Sequence, residues 1–273
     1  MDEVIWQVGV RWLIPIVPAI ALGWWVIRQW VRHRRPPGLE DPLRRGLAMT
    51  LLALFFYVGP LGSIALLGMP LPEPPEESWM LFSFQFFTVV SLALVIWTAY
   101  GSSPVPWRRL REDLGWQASR PLEEVSVGVL WGGLAWFGTL LVLAGVALTI
   151  QALWGDGILP ETPPQLVTAM AAQPFAVRVG LALSAGVVEE TFFRGFLQPR
   201  IGIFLSTLLF TLGHLAYGSP MLVLGVVLLS LVFAGLMHWR GNVLAAVVAH
   251  SVFDGIQLLW LLPAAQDAAL AGG

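Results

Sequence analysis

The sequence predicts an all-α, polytopic membrane protein with about eight transmembrane helices and a buried polar site in the last four. Three observations predict it. Of the 273 residues, 57% are hydrophobic and 12% charged, with a mean hydropathy of +0.75; soluble domains carry about 25% charged residues. Apolar runs of near-spanning length recur, and about 20 such residues cross the roughly 30 Å of bilayer hydrocarbon. The loops between the runs alternate between Arg-rich and Arg-free, as the positive-inside rule requires.

The candidate spans lie near 4–27, 47–68, 79–100, 125–153, 176–198, 202–217, 221–238 and 242–262. The first begins within "MDEVIWQVGVRW", which starts acidic and lacks both a basic n-region and a small-residue cleavage site, so it reads as a retained span rather than a signal peptide. Arg-rich "RQWVRHRRPPGLEDPLRR" follows span one and "PWRRLREDLGWQASR" follows span three. Acidic, Pro-rich "MPLPEPPEES" and "WGDGILPETPPQ" follow spans two and four. Continuing the alternation puts "QPR" near 200 and "HWRG" near 240 inside, with both termini outside. Span four contains "GVLWG", a G-x-x-x-G whose default reading is close helix packing. No internal repeat is visible.

Composition also excludes chemistry. The chain has no cysteine, which removes disulfides, thiolate ligands and a cysteine nucleophile. A net charge of -2 gives nucleic acid nothing to bind. The expected partners are the lipid bilayer and a protein or peptide substrate, in an integral, multi-pass protein of the bacterial inner membrane.

Away from their ends, the first four spans hold almost no ionisable groups. The last four hold Glu189, Glu190, Arg194, His214, His250 and Asp254. A charge at the bilayer centre costs at least about 2.5–3.5 kcal/mol, so such residues face a shared interior and mark function. Glu190 and Arg194 are four apart, as are His250 and Asp254, which places each pair on one helical face. With a turn centred at Gly202, Glu190 and His214 are equidistant from it, roughly 18 Å along their helices, and meet at one depth. His250 lies about 15 Å from the same inner face, measured from Arg240.

These motifs carry a resemblance. "EETFFR" matches E-E-x-x-x-R, "FTLGH" matches F-x-x-x-H and "HSVFD" matches H-x-x-x-N/D, in the order found in the CPBP family of CAAX-processing and bacteriocin-processing membrane proteins. That family includes the type II CAAX prenyl endopeptidases. The likeness covers about residues 175–262, and it divides the chain into a four-helix region at 1–165, a catalytic membrane core at 166–265 and a tail at 266–273. The chain departs from the pattern by a short stretch between the Glu pair and His214, and by Asp254 where asparagine is common.

The resemblance implies an intramembrane endopeptidase in which Glu189, with His214, activates water, while His250 and residue 254 stabilise the oxyanion. Glu190 and Arg194 pair to fix the helix. An ionised aspartate only accepts hydrogen bonds, so Asp254 is expected to orient His250, which donates alone. No cofactor is expected. The metal variant has zinc on Glu189, His214 and His250 with water in the fourth position; H-E-x-x-H is absent. G-x-S-G and G-x-G-D, the marks of serine and aspartate intramembrane proteases, are absent too. The alternatives from other classes are a proton-coupled transporter, built on buried Glu, His and Asp relays, and a non-catalytic immunity or binding member of the same family.

Overall fold

The computed structural model describes residues 11–65, 73–74, 76–101, 107–155 and 164–264. All regular structure among them is helical. The main helices are α1 (Ile16–Arg34), α2 (Pro42–Val58), α3 (Ser83–Tyr100), α4 (Trp107–Asp113), α5 (Pro121–Trp154), α6 (Gln165–Ala171), α7 (Phe175–Glu190), α8 (Gln198–Gly213), α9 (Pro220–Arg240) and α10 (Leu244–Ile256). The protein is an integral, multi-pass membrane protein: six segments among the described residues are long and apolar enough to span a bilayer.

The difference between six and the expected eight has two physical sources. The segments expected at 176–198 and 202–217 form one run, Phe175–Gly213, of 39 residues. The chain breaks direction within it at Gly202 (φ 83, ψ 168), a conformation that glycine alone adopts without strain. The first helix lies toward the C-terminal side of its expected place, and its Arg28, Arg32 and Arg34 dilute its hydropathy. Residues 1–10, where that span was expected to begin, lie outside the described residues.

Local signals set the helix ends. Asp41 caps α2 by accepting from the Leu43 amide at 2.9 Å, with Pro42 in the first turn. Ser219 caps α9 in the same way, and Gly241 (φ 68) closes it in the left-handed region. With 34 residues, α5 is about 51 Å long.

Close backbone approach builds the bundle around α10. A Cβ on Gly128 would lie 2.8 Å from the Ala245 carbonyl, and one on Gly132 would lie 2.7 Å from that of Ala249. The G-x-x-x-G pair is thus the seat of α10 on α5. Across from it, Gly186 of α7 admits the Val247 carbonyl and the Ser251 side chain. The apolar core joins both halves of the chain. Trp30, Phe55 and Val95 of the first three helices pack with Phe192, Phe196 and Phe210 of the polar-bearing segments. The Phe55 and Phe192 rings lie 4.4 Å apart, and the Trp30 and Phe196 rings meet edge-on at 5.2 Å.

The loops expected inside converge on one end. Arg34 pairs with Asp113 at 3.4 Å, Arg109 donates to the Arg34 carbonyl, and Arg200 donates to the Asp113 carbonyl. Arg240 donates to Glu123 and Glu124 at the start of α5, and Val243 donates to the Gly115 carbonyl.

Candidate active site

Glu189 and Glu190 end the regular part of α7, and the backbone then widens into a π-helical stretch, Thr191–Leu197. Such stretches occur mostly where function tolerates the poorer geometry. Arg194 sits inside it and reaches back to Glu190, with Nε and Oε2 3.1 Å apart. A second π-helical stretch, Gln257–Leu261, follows α10 just beyond Asp254.

The Glu190 cluster is closed. Glu190 and Arg194 are 0% and 1% exposed. The other Glu190 oxygen faces His250 Nδ1 at 2.8 Å. Arg194 Nη2 donates to the Ser230 hydroxyl at 2.9 Å and to its carbonyl at 3.3 Å, and the guanidinium stacks 4.1 Å over Phe210. The cluster therefore ties α7, α9 and α10 together. His250 Nε2 lies 3.4 Å from Asp254 Oδ2. Both imidazole nitrogens face carboxylate oxygens, which accept only, so the ring satisfies both by donating from both.

Glu189 is one residue, about 100°, further back around the helix and faces different partners. Its Oε2 lies 3.8 Å from His214 Nε2 and, like Glu190 Oε2, makes no hydrogen bond among the described residues. Its Oε1 accepts from Gln85 Nε2 of α3 at 3.4 Å. His214 follows the last turn of α8, and its Nδ1 lies 2.8 Å from the Phe210 carbonyl. A carbonyl only accepts, so Nδ1 carries the proton, and in the neutral ring Nε2 presents a lone pair toward Glu189. The accessible edge of the site is formed by His214 and Asp254, with side chains 13% and 25% exposed.

All six candidate residues thus occupy one site, in two linked groups. Phe210 separates them: its ring lies 4.6 Å from His214 and 6.1 Å from His250. The other two histidines, His33 and His238, are exposed. The sequence gives no motif for Gln85, although an amide within "FSFQFFTVV" is a visible anomaly in an apolar span. Nor does it mark Tyr217, whose ring meets His214 edge-on at 5.3 Å. Ser230 has no nucleophile context, and its place here is as acceptor for Arg194.

The zinc set Glu189, His214 and His250 does not fit this arrangement. His250 directs both nitrogens at carboxylates, one of Glu190 and one of Asp254. Among the described residues no group of three His, Asp or Glu side chains is placed to hold a metal ion.

Comparison with known proteins bears on the same segment. Residues 171–256 match the family model described as type II CAAX prenyl endopeptidase Rce1-like. This segment is similar to an Rce1-like domain. It contains all six candidate residues and Ser230, whereas Gln85 comes from outside it. The chain is also similar to the uncharacterized protein YpbD of Bacillus subtilis (strain 168), with 35% identity over 77 residues. That alignment covers 28% of this chain and 41% of YpbD, so the chain spans less than half the length of this curated relative. No solved structure matches the chain. The matched segment thus brings the motif residues, and the preceding helices wrap its aromatic core and add Gln85.

Proposed function

We propose that the chain is an intramembrane endopeptidase that hydrolyses a peptide bond in or near a membrane-associated segment of a protein substrate, using water activated by Glu189 and His214. The observation that carries this reading is the facing pair Glu189 Oε2 and His214 Nε2, 3.8 Å apart. Both atoms are acceptors in the assignment above, so a water molecule between them donates one proton to each. Its oxygen lone pair is then free to attack.

In the proposed reaction Glu189 takes the proton as the new C–O bond forms at the scissile carbonyl, which is general-base catalysis. The negative charge that develops on the carbonyl oxygen meets His250 from the accessible side. Its Nε2–H is the donor for the oxyanion, because the 3.4 Å approach of Asp254 is the looser of its two contacts. Asp254 orients the ring and balances its charge. Glu189 returns its proton to the leaving amine as the C–N bond breaks. Glu190 and Arg194 position helices and His250 and touch no reacting atom. No step uses a metal ion.

The similarity to an Rce1-like domain supports a CAAX-like cleavage, and the membrane setting equally accommodates a leader or a C-terminal sorting signal as substrate. The similarity to a Bacillus subtilis protein supports a place in a bacterial cytoplasmic membrane. The test compares the protein termini of membrane and secreted fractions from cells expressing wild type or Glu189→Ala at equal level. The expected result is a set of new termini that the variant lacks. Identical terminus sets would overturn the proposal.

A further inference from the structure

The Arg-rich end holds a second polar site that the proposed hydrolysis does not use. The last turn of α1 carries His33 and Arg34, α4 carries Arg108, Arg109, Glu112 and Asp113, and the first turn of α8 carries Arg200. They surround a cavity of about 250 Å³ lined by Gln29, Trp30, Arg34, Gln117 and Arg200. An adjoining hollow of about 420 Å³ is bordered by Arg108 and Arg109, and the two share His33, Arg34 and Glu112.

Four arginines face two carboxylates there, and the carboxylates already have partners, although Asp113 Oδ1 has only the Arg34 ion pair and no hydrogen bond among the described residues. Asp113, 3% exposed, accepts from the Trp30 indole at 3.2 Å and from the Tyr100 hydroxyl, and pairs with Arg34 at 3.4 Å. Glu112 holds Arg108 at 3.0 Å. Arg200 is stacked between the Phe196 ring, 4.1 Å away, and the Trp30 ring at 4.9 Å. Its Nη1 donates to the Phe196 and Asp113 carbonyls, while its buried Nε has no partner among the described residues. A surplus of guanidinium donors around these open hollows fits an anion, and phosphate oxygens match the planar fork of arginine.

Depth selects the source of that phosphate. Trp107, 70% exposed, adjoins Arg108 on α4, and exposed tryptophans settle at headgroup level. Basic pockets between spanning helices on the inner side take lipid headgroups. We infer that these two adjoining hollows bind the phosphate group of an anionic phospholipid headgroup at Arg34, which borders both, with Arg200 on one side and Arg108 and Arg109 on the other. The bound headgroup neutralises the guanidinium surplus and joins α1, α4 and α8 from the membrane side.

The test uses the full chain in neutral detergent, with thermal unfolding and intact-complex mass spectrometry. Phosphatidylglycerol, phosphatidylcholine and inorganic phosphate are the three probes. Phosphatidylglycerol raises the melting temperature and stays bound, and phosphatidylcholine does neither. Replacing Arg34 and Arg108 by glutamine weakens the phosphatidylglycerol effect about fivefold per arginine. Arg28→Gln, a control outside the cavity whose side chain stacks on Trp24, leaves it unchanged. Should the double variant fail to fold, Arg108→Glu at a 90% exposed side chain serves instead. Protection by inorganic phosphate alone would keep the anion site and overturn its lipid source. Equal protection by phosphatidylcholine, or full protection of the variants by phosphatidylglycerol, would overturn the inference.

Discussion

Glu189 and Glu190 are adjacent and chemically identical, yet the molecule uses them in opposite ways. Glu190 has both oxygens engaged, one by Arg194 and one by His250, in a cluster closed to solvent. Glu189 has one long contact from Gln85 and one oxygen that faces His214 at 3.8 Å. A carboxylate held in a buried ion pair on one side and against an imidazole on the other cannot receive a proton without breaking those contacts. One held loosely on one side can. The comparison teaches that the double-glutamate motif is a division of labour, imposed by the 100° step between neighbours on a helix.

The comparison can be broken or sharpened by substitution. The largest expected effect is Glu190→Gln, which strands Arg194 and the imidazole of His250 in an apolar interior and costs about 3–5 kcal/mol of stability. Thermal unfolding in detergent checks it. Asp254→Asn removes the charge that orients His250, and turnover falls about 10–100-fold, the value of a hydrogen bond to a charged group, while the melting temperature holds. Turnover kept or raised would end the orienting role. Gln85→Leu removes the donor that steadies Glu189, and turnover drops by roughly threefold to tenfold with little change in substrate affinity. The smallest effect is Ser230→Ala, about 1 kcal/mol of stability from one lost acceptor of Arg194, again read by thermal unfolding.

Much of this was legible in the sequence because spacing on a helix is geometry. Equal distances from Gly202 place the Glu pair beside His214, and the break at that residue (φ 83) is where the chain does turn. The pairs at positions 190 and 194 and at 250 and 254 follow from the four-residue repeat and are present at 3.1 and 3.4 Å. The gathering of the Arg-rich loops at one end follows from charge alone.

Other features have no local signature. The π-helical stretch at Thr191–Leu197 differs from an α-helix by backbone register, which "TFFRGFL" does not encode by itself. Gln85 reaches Glu189 across 104 positions of chain, and nothing near residue 85 announces its partner. Asp113 reads as one more loop charge, and only the tertiary fold buries it under Trp30 and Tyr100. Sequence spacing specifies contacts within a helix and across one turn, whereas contacts between distant helices depend on how the aromatic core packs.

The central claim, that Glu189 is the base and Glu190 the brace, is tested most directly by Glu189→Gln assayed beside wild type for both turnover and melting temperature. Turnover should fall by at least about 100-fold, the contribution of a general base, with the melting temperature unchanged. A variant that cleaves at the wild-type rate, or one that unfolds as Glu190→Gln does, would contradict the account.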